Sequence, residues 1–170
     1  MNEKTDMTQV AIQDHYPEDL AICYGCGRRN AQGLHVRTEW DGREGVFRFT
    51  PEAYYTAYPG IVYGGLIASL MDCHCIGTAV AAAFDAEGRA PGTEPALLYV
   101  TANLNVTYLR PTPMGCELVL RAQVKEFHER KALITCSLSA GDLVCATAEV
   151  VAVRARRFES AGDDVHQATT

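Results

Sequence analysis

The sequence is poor in several things whose absence narrows its function. It has one tryptophan, Trp40, and only 8% aromatic residues. It has 15 Lys and Arg against 21 Asp and Glu, a net charge of -6, and therefore lacks the basic footprint that phosphate-backbone binding requires. No nucleic-acid partner is expected. No run of about 20 uninterrupted apolar residues is present; the longest candidate, residues 60–84, is broken by Asp72 and His74, and no membrane partner is expected. Residues 1–15 lack the charged start and apolar run of a secretory leader. Only one Cys-x-x-Cys pair, Cys23 and Cys26, occurs. The seven cysteines, odd in number and without an export signal, read as reduced thiols, which implies a cytoplasmic location.

What remains is 48% hydrophobic and 21% charged over 170 residues, enough for one domain with one core. Residues 1–20 and 155–170 are polar tails, frayed or docked, around a single domain over 21–154. Within it, GLHVRTEW (33–40) and EGVFRFT (44–50) alternate apolar and polar residues about Asp41-Gly42, a hairpin signal. Residues 64–84, GGLIASLMDCHCIGTAVAAAF, predict one long helix. Leu66, Leu70, Cys73, Gly77, Val80 and Phe84 form one stripe and Ile67, Met71 and Thr78 the next, so the helix should be buried. Strand-like runs follow at 96–109, 116–127, 131–140 and 143–153, separated by Arg110-Pro111-Thr112-Pro113, Glu129-Arg130 and Gly141-Asp142. Two strands, a buried helix and four strands predict an α+β fold, an antiparallel sheet of about six strands wrapped around one long central helix.

The chemistry-bearing residues sit on and before that helix. The amides of Gly64 and Gly65 at its start have no internal acceptor, and the helix dipole adds positive character there. They suit a developing oxyanion, although a tight turn explains two glycines equally well. Asp72 is a carboxylate in an apolar helix, costly to bury unless paired and raised in pKa by desolvation. It can act as general base or as nucleophile, or be a structural Asp held by Ser69, Thr78 or a partner chain. Asp72 lies eight residues after Gly64, roughly 12 Å along the helix axis, so the two cannot hold one carbonyl unless two subunits meet with antiparallel helices.

Tyr63 can donate its hydroxyl to a carbonyl or simply pack. His74 faces a different side from Asp72 and reads as a core or interface histidine. Cys23 and Cys26 offer two zinc ligands, to be completed in space by Cys73, His74 or Cys75. Without a second pair, and with Cys73-His74-Cys75 ill-placed for one helical face, no metal and no cofactor are expected. Arg110, like Arg28, Arg29 and Lys125, is either a phosphate contact or a solvated charge.

Pro59-Gly60-Ile61-Val62-Tyr63-Gly64-Gly65 with Asp72 nine positions after Tyr63 resembles the PG-hydrophobic-hydrophobic-HGG…D segment of hotdog-fold acyl-CoA thioesterases, of the phenylacetic-acid-pathway type. Cys23-Tyr24-Gly25-Cys26-Gly27…Asn30…Gly33-Leu34 and Tyr108-Leu109-Arg110-Pro111-Thr112-Pro113 resemble further segments of the same family. Tyr63 stands where the family usually has His, and Ala57 where some members have Asn. The resemblance implies a homodimer or dimer of dimers, and hydrolysis of acyl-CoA or a related pantetheine thioester at a site between subunits. Asp72, Gly64, Gly65 and Tyr63 would be catalytic, with Ser69, Leu70, Met71 and Arg110 at the substrate. A non-catalytic acyl-CoA-binding protein and a hotdog hydratase or dehydratase are the alternative functions.

Overall fold

A computed structural model describes residues 10–128 and 130–155. The hairpin about Asp41-Gly42 forms as expected, with Asp41 Oδ1 accepting the amides of Arg43 and Glu44 at 2.8 Å each and Gly42 at φ 91°. Its strands are β1 (Glu39–Trp40) and β2 (Gly45–Phe49). The predicted strand over 33–40 is thus cut to its last two residues. Leu34 and Val36 do alternate inward, but their amides donate to the carbonyls of Tyr24 and Gly25, and the Thr38 carbonyl accepts from Ile12. The backbone there is satisfied by the N-terminal segment instead of a ladder.

A small hairpin absent from the sequence reading, β3 (Thr56–Tyr58) with β4 (Ile61–Val62), leads into α1 (Gly64–Ala86). The helix runs two residues past the predicted Phe84 and ends in a Schellman arrangement. Gly88, at φ 62°, donates to Asp85 O, and Arg89 donates to Phe84 O. By length and composition α1 could cross a bilayer, so Asp72 and His74 do not disqualify it as the sequence reading held. In this fold it is a core helix, with Leu70, Met71, Cys75 and Ala79 at 0% exposure.

Four long strands follow: β5 (Tyr99–Tyr108), β6 (Leu118–His128), β7 (Lys131–Ala140) and β8 (Leu143–Arg154). All ladders are antiparallel, and the sheet order is β1-β2-β6-β7-β8-β5. The expected hotdog arrangement of six strands around one helix is therefore present. Alternation along β7 sends Ala132, Ile134, Cys136 and Leu138 to the helix. Each fully buried Leu or Ile contributes roughly 1.5–3 kcal/mol. Because β5 pairs with β8, the segment 109–117 crosses the end of the sheet, and among the described residues β5 keeps one edge unpaired.

The other side of α1 is covered by residues 10–38. Ala11 and Ile12 are buried, and Gln13 donates to Thr38 Oγ1 at 3.0 Å while its Oε1 accepts the Thr38 amide at 2.7 Å. Thr38 Oγ1 lies 3.0 Å from His74 Nδ1, and His74 Nε2 lies 3.2 Å from Gly45 O. A carbonyl can only accept, so Nε2 carries the proton and Nδ1 accepts from Thr38. His74 is thus a core histidine, as the sequence suggested. Gly77 permits this network, since a Cβ there would stand 2.4 Å from Gln13 Nε2.

Burial lowers the His74 pKa to about 4. The unfolded chain takes up this proton near pH 6.5 and the folded chain resists it. Stability is therefore full above that pH and declines as pH falls toward 4, by up to roughly 3 kcal/mol at about 1.4 kcal/mol per pKa unit. Urea titrations through this window should show the decline, and His74→Gln should flatten it.

Candidate active site

Asp72 lies on the half-exposed flank of α1, and its pKa is raised chiefly by burial. Thr101 Oγ1, on β5, donates to Asp72 Oδ1 at 2.5 Å and pulls the value partly back, while charge on Cys23 pushes it up. A desolvated carboxylate with one donor keeps acceptor capacity for a water or a substrate proton. Asp72 lines a cavity of about 380 Å³ together with Tyr16, Leu20, Ile76, Val80, Leu97 and Val100. Cys23, Cys26, Cys73 and Thr101 line it as well. This is an apolar recess with a carboxylate at one wall.

The start of α1 opens elsewhere. Tyr63 is the N-cap residue in extended conformation, without a capping side-chain bond. Its carbonyl accepts from Leu66 and Ile67, and its amide donates to Tyr55 O at 2.8 Å. Gly64 and Gly65 come first in the helix and so have no internal acceptor. A Cβ on Gly65 would stand 2.5 Å from the Tyr63 ring, so glycine lets that ring fold across the helix start. Tyr108 Oη, at the far end of β5, donates to Gly64 O at 2.7 Å. Gly64, Tyr108 and Arg110 line a second recess of about 390 Å³ with Tyr58, Ile61 and Ile67.

Within one protomer, Asp72 and Gly64 therefore face different recesses, as the helical rise required. Ser69 is half-buried and donates to Gly65 O at 2.9 Å within the helix. Leu70 and Met71 have no exposed surface; the helical wall of the Asp72 cavity is made by Cys73, Ile76 and Val80 instead. The sequence offered no signal for Thr101, which reaches Asp72 across 29 positions. Tyr108 stood in a family-like segment but had no role until its hydroxyl met Gly64. The sulfurs of Cys23, Cys26 and Cys73 lie within 4.8 Å of one another, the spatial completion that the sequence raised and set aside. A larger open depression of about 610 Å³, around Thr135, Ser137 and the Arg121–Glu44 ion pair, lies on the sheet face turned from the helix and contains neither Asp72 nor Gly64.

The Tyr108–Gly64 bond ties β5 to the first turn of α1, so Tyr108→Phe should lower unfolding free energy by about 0.5–1 kcal/mol with the fold intact. Chemical denaturation of the two proteins is the measurement.

Comparison with known proteins places this geometry in a family. The family model described as thioesterase superfamily matches residues 59–143, half of the chain, from the hairpin before α1 to the start of β8. A thioesterase superfamily protein from Shewanella loihica is 41% identical, covers 85% of this chain and 99% of its own, and superposes with a TM-score of 0.63. The PaaI protein from the E. coli phenylacetic acid degradation operon shares the fold at 17% identity, with a TM-score of 0.59 over 72% of this chain and 81% of that one. Acyl-coenzyme A thioesterase THEM4 of Xenopus laevis is 30% identical over 100 residues, 59% of this chain. The chain spans about two fifths of the length of that curated relative. The sheet wrapped on α1 and the matched segment agree, and the chain belongs to the thioesterase superfamily.

Proposed function

We propose that this protein hydrolyses an acyl-CoA or related pantetheine thioester at a site shared by two subunits, with Asp72 of one and the Gly64-Gly65 helix start of the other. The observation that carries this reading is the placement of both groups along β5. Thr101, near one end of β5, holds Asp72, and Tyr108, at the other end, holds Gly64. Among the described residues the β5 edge is open for its ten residues, and an unpaired edge of that length invites another strand. Pairing two β5 edges antiparallel about Leu104 and Asn105 sets Thr101 opposite Tyr108 of the partner subunit. The two recesses then become neighbours, and symmetry makes two equal sites. The exposed apolar residues along this line, Val100, Tyr108 and Leu109, gain a cover in the same step.

In the shared site the acyl chain enters the recess lined by Ile76, Val80, Leu97 and Val100, and the Gly64-Gly65 amides donate to the thioester oxygen. Arg110, which lines the recess with Gly64, would meet a phosphate of the coenzyme. Asp72 takes a proton from water as the water oxygen bonds to the carbonyl carbon. The C–S bond then breaks, and the proton passes to the leaving thiolate. Attack by Asp72 itself, through a mixed anhydride that water cleaves, uses the same groups. The amides stabilise the charge that gathers on the oxygen in either route. The family match and the name of the curated relative are consistent with this chemistry.

Asp72→Asn should keep the fold by circular dichroism and lower thiol release from a panel of acyl-CoA esters by at least about 100-fold, the usual scale of lost general-base catalysis. Tight ester binding by the unaltered protein without thiol release would replace hydrolysis with a binding function. Mixing tests the sharing of the site. Asp72→Asn and Gly65→Val chains, each inactive alone, should regain about a quarter of the normal rate when co-refolded, because half of randomly formed dimers carry one intact site of two. A site contained in one protomer would regain none.

A further inference from the structure

The wall of the Asp72 cavity holds a group of side chains for which the hydrolytic reading has no use. Cys23 and Cys26 lie on a turn closed by Gly27 N donating to Cys23 O at 2.8 Å, and Cys73 projects from α1 toward them. Cys23 Sγ and Cys73 Sγ are 3.9 Å apart, and all three sulfurs lie within 4.8 Å of one another. Every cysteine of the chain is a free thiol. A disulfide needs about 2.05 Å. Three sulfurs around one zinc at about 2.3 Å each stand about 3.8 Å apart in a tetrahedron.

Independent features point the same way. A Cβ on Gly25 would sit 2.2 Å from Cys73 Sγ, so glycine between the two turn cysteines is what admits the third. The hydroxyl oxygen of Tyr16 is buried without a hydrogen-bond partner among the described residues. Tyr16 lines the same cavity as the three cysteines. A buried hydroxyl left unmatched beside three sulfurs marks a missing partner.

We propose that Cys23, Cys26 and Cys73 form a binding site for one thiophilic divalent cation, zinc foremost, whose fourth position faces the cavity and the Tyr16 hydroxyl. Three thiolates select a soft ion over magnesium or calcium. A water in the fourth position supplies the partner that Tyr16 lacks. The ion fastens the turn of residues 23–27 to α1 one residue from Asp72. The site stands apart from the hydrolytic reading and needs no ester to be tested.

The test uses the full chain, reduced with a phosphine and stripped by a chelator. Cobalt(II) should bind once per chain with the intense visible bands of tetrahedral thiolate coordination, and zinc should bleach them. Zinc should also shield Cys23, Cys26 and Cys73 from alkylation, read by peptide mass mapping, and leave the labelling of Cys116 unchanged. Cys73→Ala should lose the bands and weaken zinc by more than the roughly 10–100-fold that removal of an outer-shell partner costs. Cys116→Ala should keep both. Equal alkylation with and without zinc in the unaltered protein overturns the proposal, whether or not Cys73→Ala folds. So does a cobalt spectrum without thiolate bands, or one that survives Cys73→Ala in a folded protein.

Discussion

A helix that is apolar nearly all round has to be covered on every side, and one sheet cannot do it. That constraint organises this molecule. The sheet closes on α1 from β2, β6, β7, β8 and β5, and residues 10–38 close a second side through Ile12, Leu34 and Val36. Between these covers a flank stays half-exposed, and on it lie Asp72, Cys73 and Ile76. The apolar recess, the carboxylate and the thiols are all found in that one gap, because this face of the helix lets a polar side chain reach both protein and solvent.

The contrast between Asp72 and His74 shows how the gap sorts chemistry. The two are separated by one residue, yet His74 turns under the N-terminal cover, where Thr38 and Gly45 saturate both ring nitrogens and burial keeps it neutral. Its hydrogen bonds are complete, so it has nothing left to offer a substrate. Asp72 has one side-chain donor, Thr101, and faces a cavity. A raised pKa combined with unfilled acceptor capacity is the condition for proton transfer, and only Asp72 meets it.

Strand β5 gives the gap its geometry. As the last strand in the sheet order it holds Asp72 at one end and the helix start at the other, so the proposed subunit pairing follows from a single edge. The helix-start glycines and the carboxylate are kept apart within a chain by the rise of the helix, and the proposed twofold pairing of two such edges would bring them together between chains.

Much of this was legible in the residues. The helix start at Gly64, the span of β7 and the hairpin at Asp41-Gly42 follow from local rules, namely apolar periodicity, alternation, and the turn chemistry of Asp and Gly. The shortened β1 did not, because alternation reports which side chains turn inward and cannot report where the backbone finds its hydrogen bonds. The position of Asp72 eight residues into an apolar helix was also fixed locally, and with it the separation from Gly64. Tertiary structure alone decided that Thr101, 29 positions away, would hold that carboxylate, and that Ile76 and Val80 would wall the recess while Leu70 and Met71 stayed in the core. It also carried Cys73 to a cysteine 50 positions earlier. Spacing along a chain sets geometry within one helix or one turn; contacts across tens of residues come from how the covers of the helix pack, and no local pattern encodes that.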